Sequence, residues 1–112
     1  MKKIEVIIRP SVFDKVRKAL AALGVDGMNY QEIRGCGRQH GHTEVYRGMT
    51  IQVGFLPKIR FEIVTADEMV EKVINTVVEA ARTGKVGDGK IFVSDVLDVI
   101  RIRTGERGTD AV

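Results

Sequence analysis

The chain has no tryptophan, two prolines and one cysteine, and aromatic residues make up only 5% of it. A lone cysteine, Cys36, excludes a disulfide framework within the chain and points to a reducing, cytoplasmic setting. So few aromatic rings leave the core to Val, Ile, Leu and Ala, which is feasible because hydrophobic residues still reach 44%. No apolar run approaches the ~18 residues of a membrane span. The first apolar segment, Ile4 to Ile8, is interrupted by Glu5 and is too short for a secretory signal. The 112 residues suit a single domain, 1–112, large enough to bury one compact core. A net charge of +3 is mild and neither demands nor excludes an anionic partner. An RNA-recognition sheet needs aromatics within an RNP1-like run on adjacent central strands; this chain has no such run, so nucleic acid is not expected.

Glycine, by contrast, is abundant at 12 of 112 residues, and much of the excess falls in two loops and the C-terminal part. The densest stretch is Thr83-Gly84-Lys85-Val86-Gly87-Asp88-Gly89-Lys90. Glycine adopts φ > 0 without steric penalty, so successive N–H groups can converge on one anion, with Lys85 and Lys90 to neutralise it. The spacing nearly matches a Walker A loop, but Ile91 stands where Mg²⁺ needs Ser or Thr. The order is also reversed, because the loop follows a helix-like run and opens a strand-like one. It is therefore either an anion or nucleotide loop outside the P-loop NTPases, or a plain glycine-rich turn.

Periodicity places the elements around it. Lys3 to Ile8 reads as a strand, stopped by Pro10. Val12, Phe13, Val16, Ala19, Leu20 and Leu23 follow a helical period, with Ser11 and Asp14 resembling a capping box and Gly24 as the stop. Met28 to Cys36 predicts a second strand, and 37–54 a long polar loop with no helical period. Phe55 to Val64 alternates as a third strand, putting Glu62 on the opposite side from Phe61 and Ile63. Thr65 and Glu68 suggest a second capping box before a helix through Met69, Val73, Val77 and Ala81. Ile91 to Val93 begins a fourth strand that Val99 to Ile102 would extend. The order predicts an α+β fold, a ferredoxin-like βαββαβ sandwich with an antiparallel sheet and two helices on one face. Its bare sheet face calls for a cover, and oligomerisation is one solution.

Two further glycine-and-cation clusters stand at Gly35-Cys36-Gly37-Arg38-Gln39 and Arg101-Ile102-Arg103-Thr104-Gly105-Glu106-Arg107-Gly108. Arginine suits bidentate phosphate contacts, so the three clusters could meet on one polyphosphate, within a chain or across an interface, or form three solvated turns. Cys36, His40 and His42 are of metal-ligating type, but the sequence supplies no second Cys or third His to complete a site. Paired catalytic carboxylates do not stand out, and no general base is evident near the glycine loops. This favours a sensor over an enzyme acting on nucleotide phosphates, which stays open as the alternative.

In this order, these clusters resemble the PII nitrogen-regulatory signal-transduction proteins over nearly the whole chain. Gly35 to Gly48 is similar to the start of that family's T-loop (about 37–55), Phe55-Leu56-Pro57-Lys58 to its end, Thr83 to Val93 to the B-loop (about 82–90) and Arg101 to Gly108 to the C-loop (about 101–109). The resemblance implies a non-enzymatic homotrimer binding ATP or ADP between neighbours. Gly37, Arg38, Gln39, Gly87, Asp88, Gly89 and Lys90 would hold phosphates, with Arg101 and Arg103 reaching in from the adjoining copy. Gly27, Met28, Asn29, Glu62 and Val64 would surround adenine and ribose. Gln39 would ligate Mg²⁺ with ATP and 2-oxoglutarate, while Lys58 and Gly87 would complete the 2-oxoglutarate site. Arg47 would engage an ammonium transporter, the chain's only route to a membrane, and a nitrogen-assimilation enzyme is the other partner implied. Two positions depart from the pattern. Asn29 replaces the usual Thr, and Ile51 stands where many bacterial members place a modifiable Tyr, removing the hydroxyl that a covalent switch needs.

Overall fold

Alternating burial, with one face of each strand apolar and the other polar, organises the molecule. The computed structural model describes residues 1–36, 43–46, 49–52 and 54–112. Strand β1 (Lys2–Ile8) buries Ile4, Val6 and Ile8 and leaves Lys3, Glu5 and Ile7 on the other face. A 3₁₀ turn at Pro10–Val12 leads into helix α1 (Phe13–Ala22), and β2 (Met28–Gly35) follows. A hairpin of β3 (Thr43–Tyr46) and β4 (Met49–Gln52) precedes β5 (Leu56–Thr65). A second 3₁₀ turn, Asp67–Met69, opens α2 (Val70–Ala81), and β6 (Lys90–Asp95) completes the main sheet.

The main sheet is four-stranded and antiparallel in the order β2-β5-β1-β6, with both helices on one face. This is the ferredoxin-like βαββαβ arrangement that the element order predicts. The helical pattern supplies the cover: Val16 and Leu20 of α1 and Val73, Val77, Ala80 and Ala81 of α2 bury against Ile4, Val6, Ile8, Ile59, Phe61 and Ile63. Each fully buried Val, Leu, Ile or Phe side chain contributes roughly 1.5–3 kcal/mol. The core is aliphatic as composition requires, except for Phe61, which stacks on Phe13 at 5.3 Å with Tyr30 tilted beside them. Glu62, as its alternation predicts, lies on the bare face.

Four expectations are corrected. Neither capping box forms. The helices are entered through 3₁₀ turns closed by Val12 N–H to Arg9 O and Met69 N–H to Ala66 O, and no side chain caps them. Thr65 belongs to β5, buried and paired with Lys2, so its hydroxyl is not at a helix entrance. The segment 37–54 contains β3 and β4, since Thr-Glu-Val-Tyr and Met-Thr-Ile-Gln can satisfy their own backbone groups by pairing Tyr46 with Met49. Finally, β6 ends at Asp95; 99–102 turns back on itself through the Ile100–Arg107 bridge and the Arg101 N–H to Glu106 O bond. The Gly24 stop is present, with φ +94° after α1.

Candidate functional site

Strand register sets the geography. Lys90 pairs with Ile7, Ile8 with Ile59, and Gly35 with Leu56, so the C-terminal ends of β1 and β2 and the beginnings of β5 and β6 share one edge of the sandwich. The glycine loop lies there between α2 and β6. Beside it is a cleft of about 520 Å³ lined by Ile7, Gly35, Cys36, Lys58, Lys85 and the segment from Val86 to Lys90. One chain thereby brings Gly35 and Cys36, the described part of the cluster at 35–39, beside the glycine loop. Three lysines face the same space as one carboxylate, an imbalance suited to an anion.

Within the loop the sole carboxylate, Asp88, is turned inward. Its Oδ2 accepts the N–H groups of Thr83 at 2.8 Å and Gly84 at 2.9 Å, and its Oδ1 accepts the Thr83 hydroxyl. Arg9 at the end of β1 donates from Nε to Oδ1 at 3.1 Å and from Nη2 to the Val86 carbonyl at 2.6 Å. The hydrogen bonds from Thr83 hold the Asp88 carboxyl well below the usual carboxylate range, with Gly84 and Arg9 assisting. Lys58 donates to the Gly87 carbonyl at 2.7 Å. Burial, and then the Arg9 guanidinium, push the Lys58 ammonium below the usual lysine value, while Asp88 acts the other way.

The glycines are demanded by this path. Gly84, Gly87 and Gly89 all have positive φ, and a Cβ on Gly89 would lie 1.7 Å from the carbonyl oxygen of Ile7. Backbone thus approaches backbone closely at the mouth of the cleft, a geometry only glycine supplies.

The other sequence-identified residues lie elsewhere. Asn29 pairs with Glu62 across β2 and β5, and the two line a separate polar hollow with Tyr30, Gln31 and Arg60. Gly27, Met28 and Val64 flank the far end of these strands, six residues of β5 from Lys58 to Val64, roughly 20 Å at the usual strand rise. Glu62 also pairs with Lys3 at 3.4 Å. Arg101 bonds Glu106 at 2.8 Å inside the C-terminal turn, and no ion pair or hydrogen bond among the described residues joins Arg101 or Arg103 to the glycine loop. Gly37, Arg38, Gln39 and Arg47, with His40 and His42, lie outside the described residues. Cys36 is exposed, and no group of three metal-ligating side chains occurs among the described residues.

Sequence reading passed over Arg9, and it treated Thr83 only as part of the loop. The signal for Arg9 was slight, a cation at a strand end before Pro10. That for Thr83 was its spacing of five from the loop's lone carboxylate.

Fold and site together define a class: small ferredoxin-like α+β sandwiches with a lysine-rimmed glycine loop at one edge of the sheet. The family model described as nitrogen regulatory protein P-II matches residues 1–106. The chain is 57% identical to the nitrogen regulatory proteins P-II of Cereibacter sphaeroides and Pasteurella multocida, and 54% identical to nitrogen regulatory protein P-II 1 of Escherichia coli, each over 112 residues and all of both chains. The chain belongs to the nitrogen regulatory protein P-II family.

Proposed function

We propose that this protein is a nitrogen-regulatory signal transducer that binds ATP or ADP at its glycine loop and passes ligand occupancy to a partner through the segment 37–55. The supporting observation is the loop itself: Gly87 and Gly89 in positive φ, backbone packed against Ile7, and Lys58, Lys85 and Lys90 around one cleft. Such a donor set fits an oligophosphate, and the missing Cβ at Gly89 lets the loop pack against the Ile7 carbonyl and so brings Lys90 to the cleft. Gly87 to Lys90 would contact phosphate, Gly37, Arg38 and Gln39 would add to it from the neighbouring cluster, and Gln39 would hold Mg²⁺. Mg²⁺ supplies charge neutralisation that lets a triphosphate and a dicarboxylate coexist. With Mg²⁺-ATP in place, 2-oxoglutarate would sit against Lys58 and Gly87.

The residues proposed here for adenine and ribose, Gly27, Met28, Asn29, Glu62 and Val64, belong to the end of β2 and β5 away from the loop. One chain therefore does not close a nucleotide site, whereas neighbouring copies in a homotrimer would bring both halves together, with Arg101 and Arg103 added from the C-terminal turn. Exposed apolar side chains support such burial: Phe92 is 52% exposed, Leu97 97% and Ile102 99%. An ammonium transporter or a nitrogen-assimilation enzyme is the proposed target, with Arg47 as the anchor to a transporter.

Calorimetric titration with ADP, ATP, and ATP with Mg²⁺ and 2-oxoglutarate tests this reading. Nucleotide binding, with 2-oxoglutarate heat only when Mg²⁺-ATP is present, is the expected result. A turnover assay on the same samples separates the sensor from a nucleotide-processing enzyme.

A further inference from the structure

The glycine loop folds around an anion of its own. Asp88 accepts both N–H groups that open the loop, those of Thr83 and Gly84, while Lys85 N–H goes to the Thr83 hydroxyl oxygen at 3.2 Å. These three donors are consumed internally, although an anion-binding loop would ordinarily present its N–H groups to the ligand. The carbonyls of Val86 and Gly87 are held from outside by Arg9 and Lys58. The Asp88 N–H closes a turn across Val86 and Gly87, whereas the N–H of Gly87 has no hydrogen-bond partner among the described residues. The loop thus has a first half tied to Asp88 and a second half whose Gly87 N–H is left over, and Lys90 continues the second half into β6.

A carboxylate inside a loop that receives phosphate is electrostatically adverse unless it is neutralised. Here the neutralising charge is present: the Arg9 Nε lies 3.1 Å from Asp88 Oδ1, and both side chains are partly buried. Arg9 is fixed at the end of β1 against the buried Ile8, so it ties the loop to the sheet as well as cancelling its charge.

We infer that Asp88, Thr83 and Arg9 are positioning residues for phosphate recognition, with the Asp88 carboxylate serving as an internal template that aims the Gly87–Lys90 backbone at the ligand. This rests on the nucleotide reading above and deepens it: the Asp88 side chain contacts the loop, leaving its backbone to the phosphate. Thr83 contributes two donors to the template, its N–H and its hydroxyl, so its side chain is required for a hydrogen bond inside the loop.

The test compares Thr83→Val, Thr83→Ser and Asp88→Asn with wild type, measuring calorimetric affinities for ADP and for adenosine together with amide hydrogen exchange at Thr83 and Gly84. Valine keeps the shape and removes the hydroxyl; serine restores it. Asparagine presents an amide donor where the loop's own donors converge. The expected result is about a tenfold or greater loss of ADP affinity in Thr83→Val and Asp88→Asn. Adenosine affinity should be unchanged, the two amides should exchange faster, and Thr83→Ser should recover ADP binding. A role in general stability alone would lower ADP and adenosine affinity together, and would overturn the inference. Wild-type ADP affinity in Thr83→Val would overturn it while leaving the nucleotide reading intact. Wild type that binds no adenine nucleotide would overturn both.

Discussion

The Lys58 ammonium donates a 2.7 Å hydrogen bond to the carbonyl oxygen of Gly87, joining the first half of β5 to the glycine loop. The two residues are 29 apart in sequence, and the antiparallel order of the sheet brings them together at one edge. The bond commits at least one of the three ammonium donors to the loop.

This relationship yields the first prediction. Lys58→Met should abolish Mg²⁺-ATP-dependent 2-oxoglutarate binding and change ADP affinity far less. Parallel calorimetric titrations check it. Retained 2-oxoglutarate binding in the variant would remove Lys58 from that site.

Lys90→Ala should weaken ATP binding about tenfold or more, because a charge-assisted hydrogen bond contributes roughly 1.5–3 kcal/mol. Lys90 is exposed at the start of β6, beside the cleft, so the substitution leaves the core intact. Unchanged affinity, with the oligomeric state unaltered, would rule out this lysine as a phosphate contact.

Gly89→Ala should destabilise the fold by about 3 kcal/mol or more, combining a strained positive φ with steric overlap. The overlap is with the Ile7 carbonyl oxygen at 1.7 Å, which cannot retreat without disturbing β1 beside β6. Gly27→Ala, with nothing within 4 Å of the added carbon, should stay within about 0.5 kcal/mol of wild type. Urea denaturation distinguishes the two.

The depressed Asp88 pKa gives a pH dependence with a definite sign. The unfolded carboxyl takes up its proton at the ordinary value of 3.8, above the folded one. The unfolded state therefore binds more protons in between, and stability falls as pH drops through that window. The difference in urea midpoint between wild type and Asp88→Asn should be full at pH 7 and shrink progressively below pH 3.8. A difference that grows on acidification would contradict the assignment.

Arg47→Ala should disrupt capture of an ammonium transporter without changing oligomeric state or ADP affinity. Pull-down under ADP, and again under ATP with 2-oxoglutarate, checks both the anchor and its release. A ligand shifts such an equilibrium only through its differential affinity for the two conformations. Equal retention of variant and wild type under ADP would eliminate Arg47 as the anchor.

The residues themselves determined the architecture: period-two apolar alternation in Ile4, Val6, Ile8 and in Ile59, Phe61, Ile63, and helical spacing in Val16, Leu20 and in Val73, Val77. Burial of one face is a local demand that sequence states directly. The motif from Thr83 to Lys90 and the clusters at 35–39 and 101–108 were likewise legible, because glycine and lysine spacing is local chemistry. Tertiary structure decided what these residues touch. Strand order alone put Lys58 against Gly87 and Arg9 against Asp88, and it set Asn29 and Glu62 at a distance from the loop. It also replaced both capping boxes with 3₁₀ entries, since pairing with Lys2 claimed Thr65 for β5. The turn-back of 99–102 was hidden for a similar reason. Val99 to Ile102 has strand-forming side chains, but its backbone finds partners at Glu106 and Gly108, and short-range hydrogen bonds outcompete an extended edge.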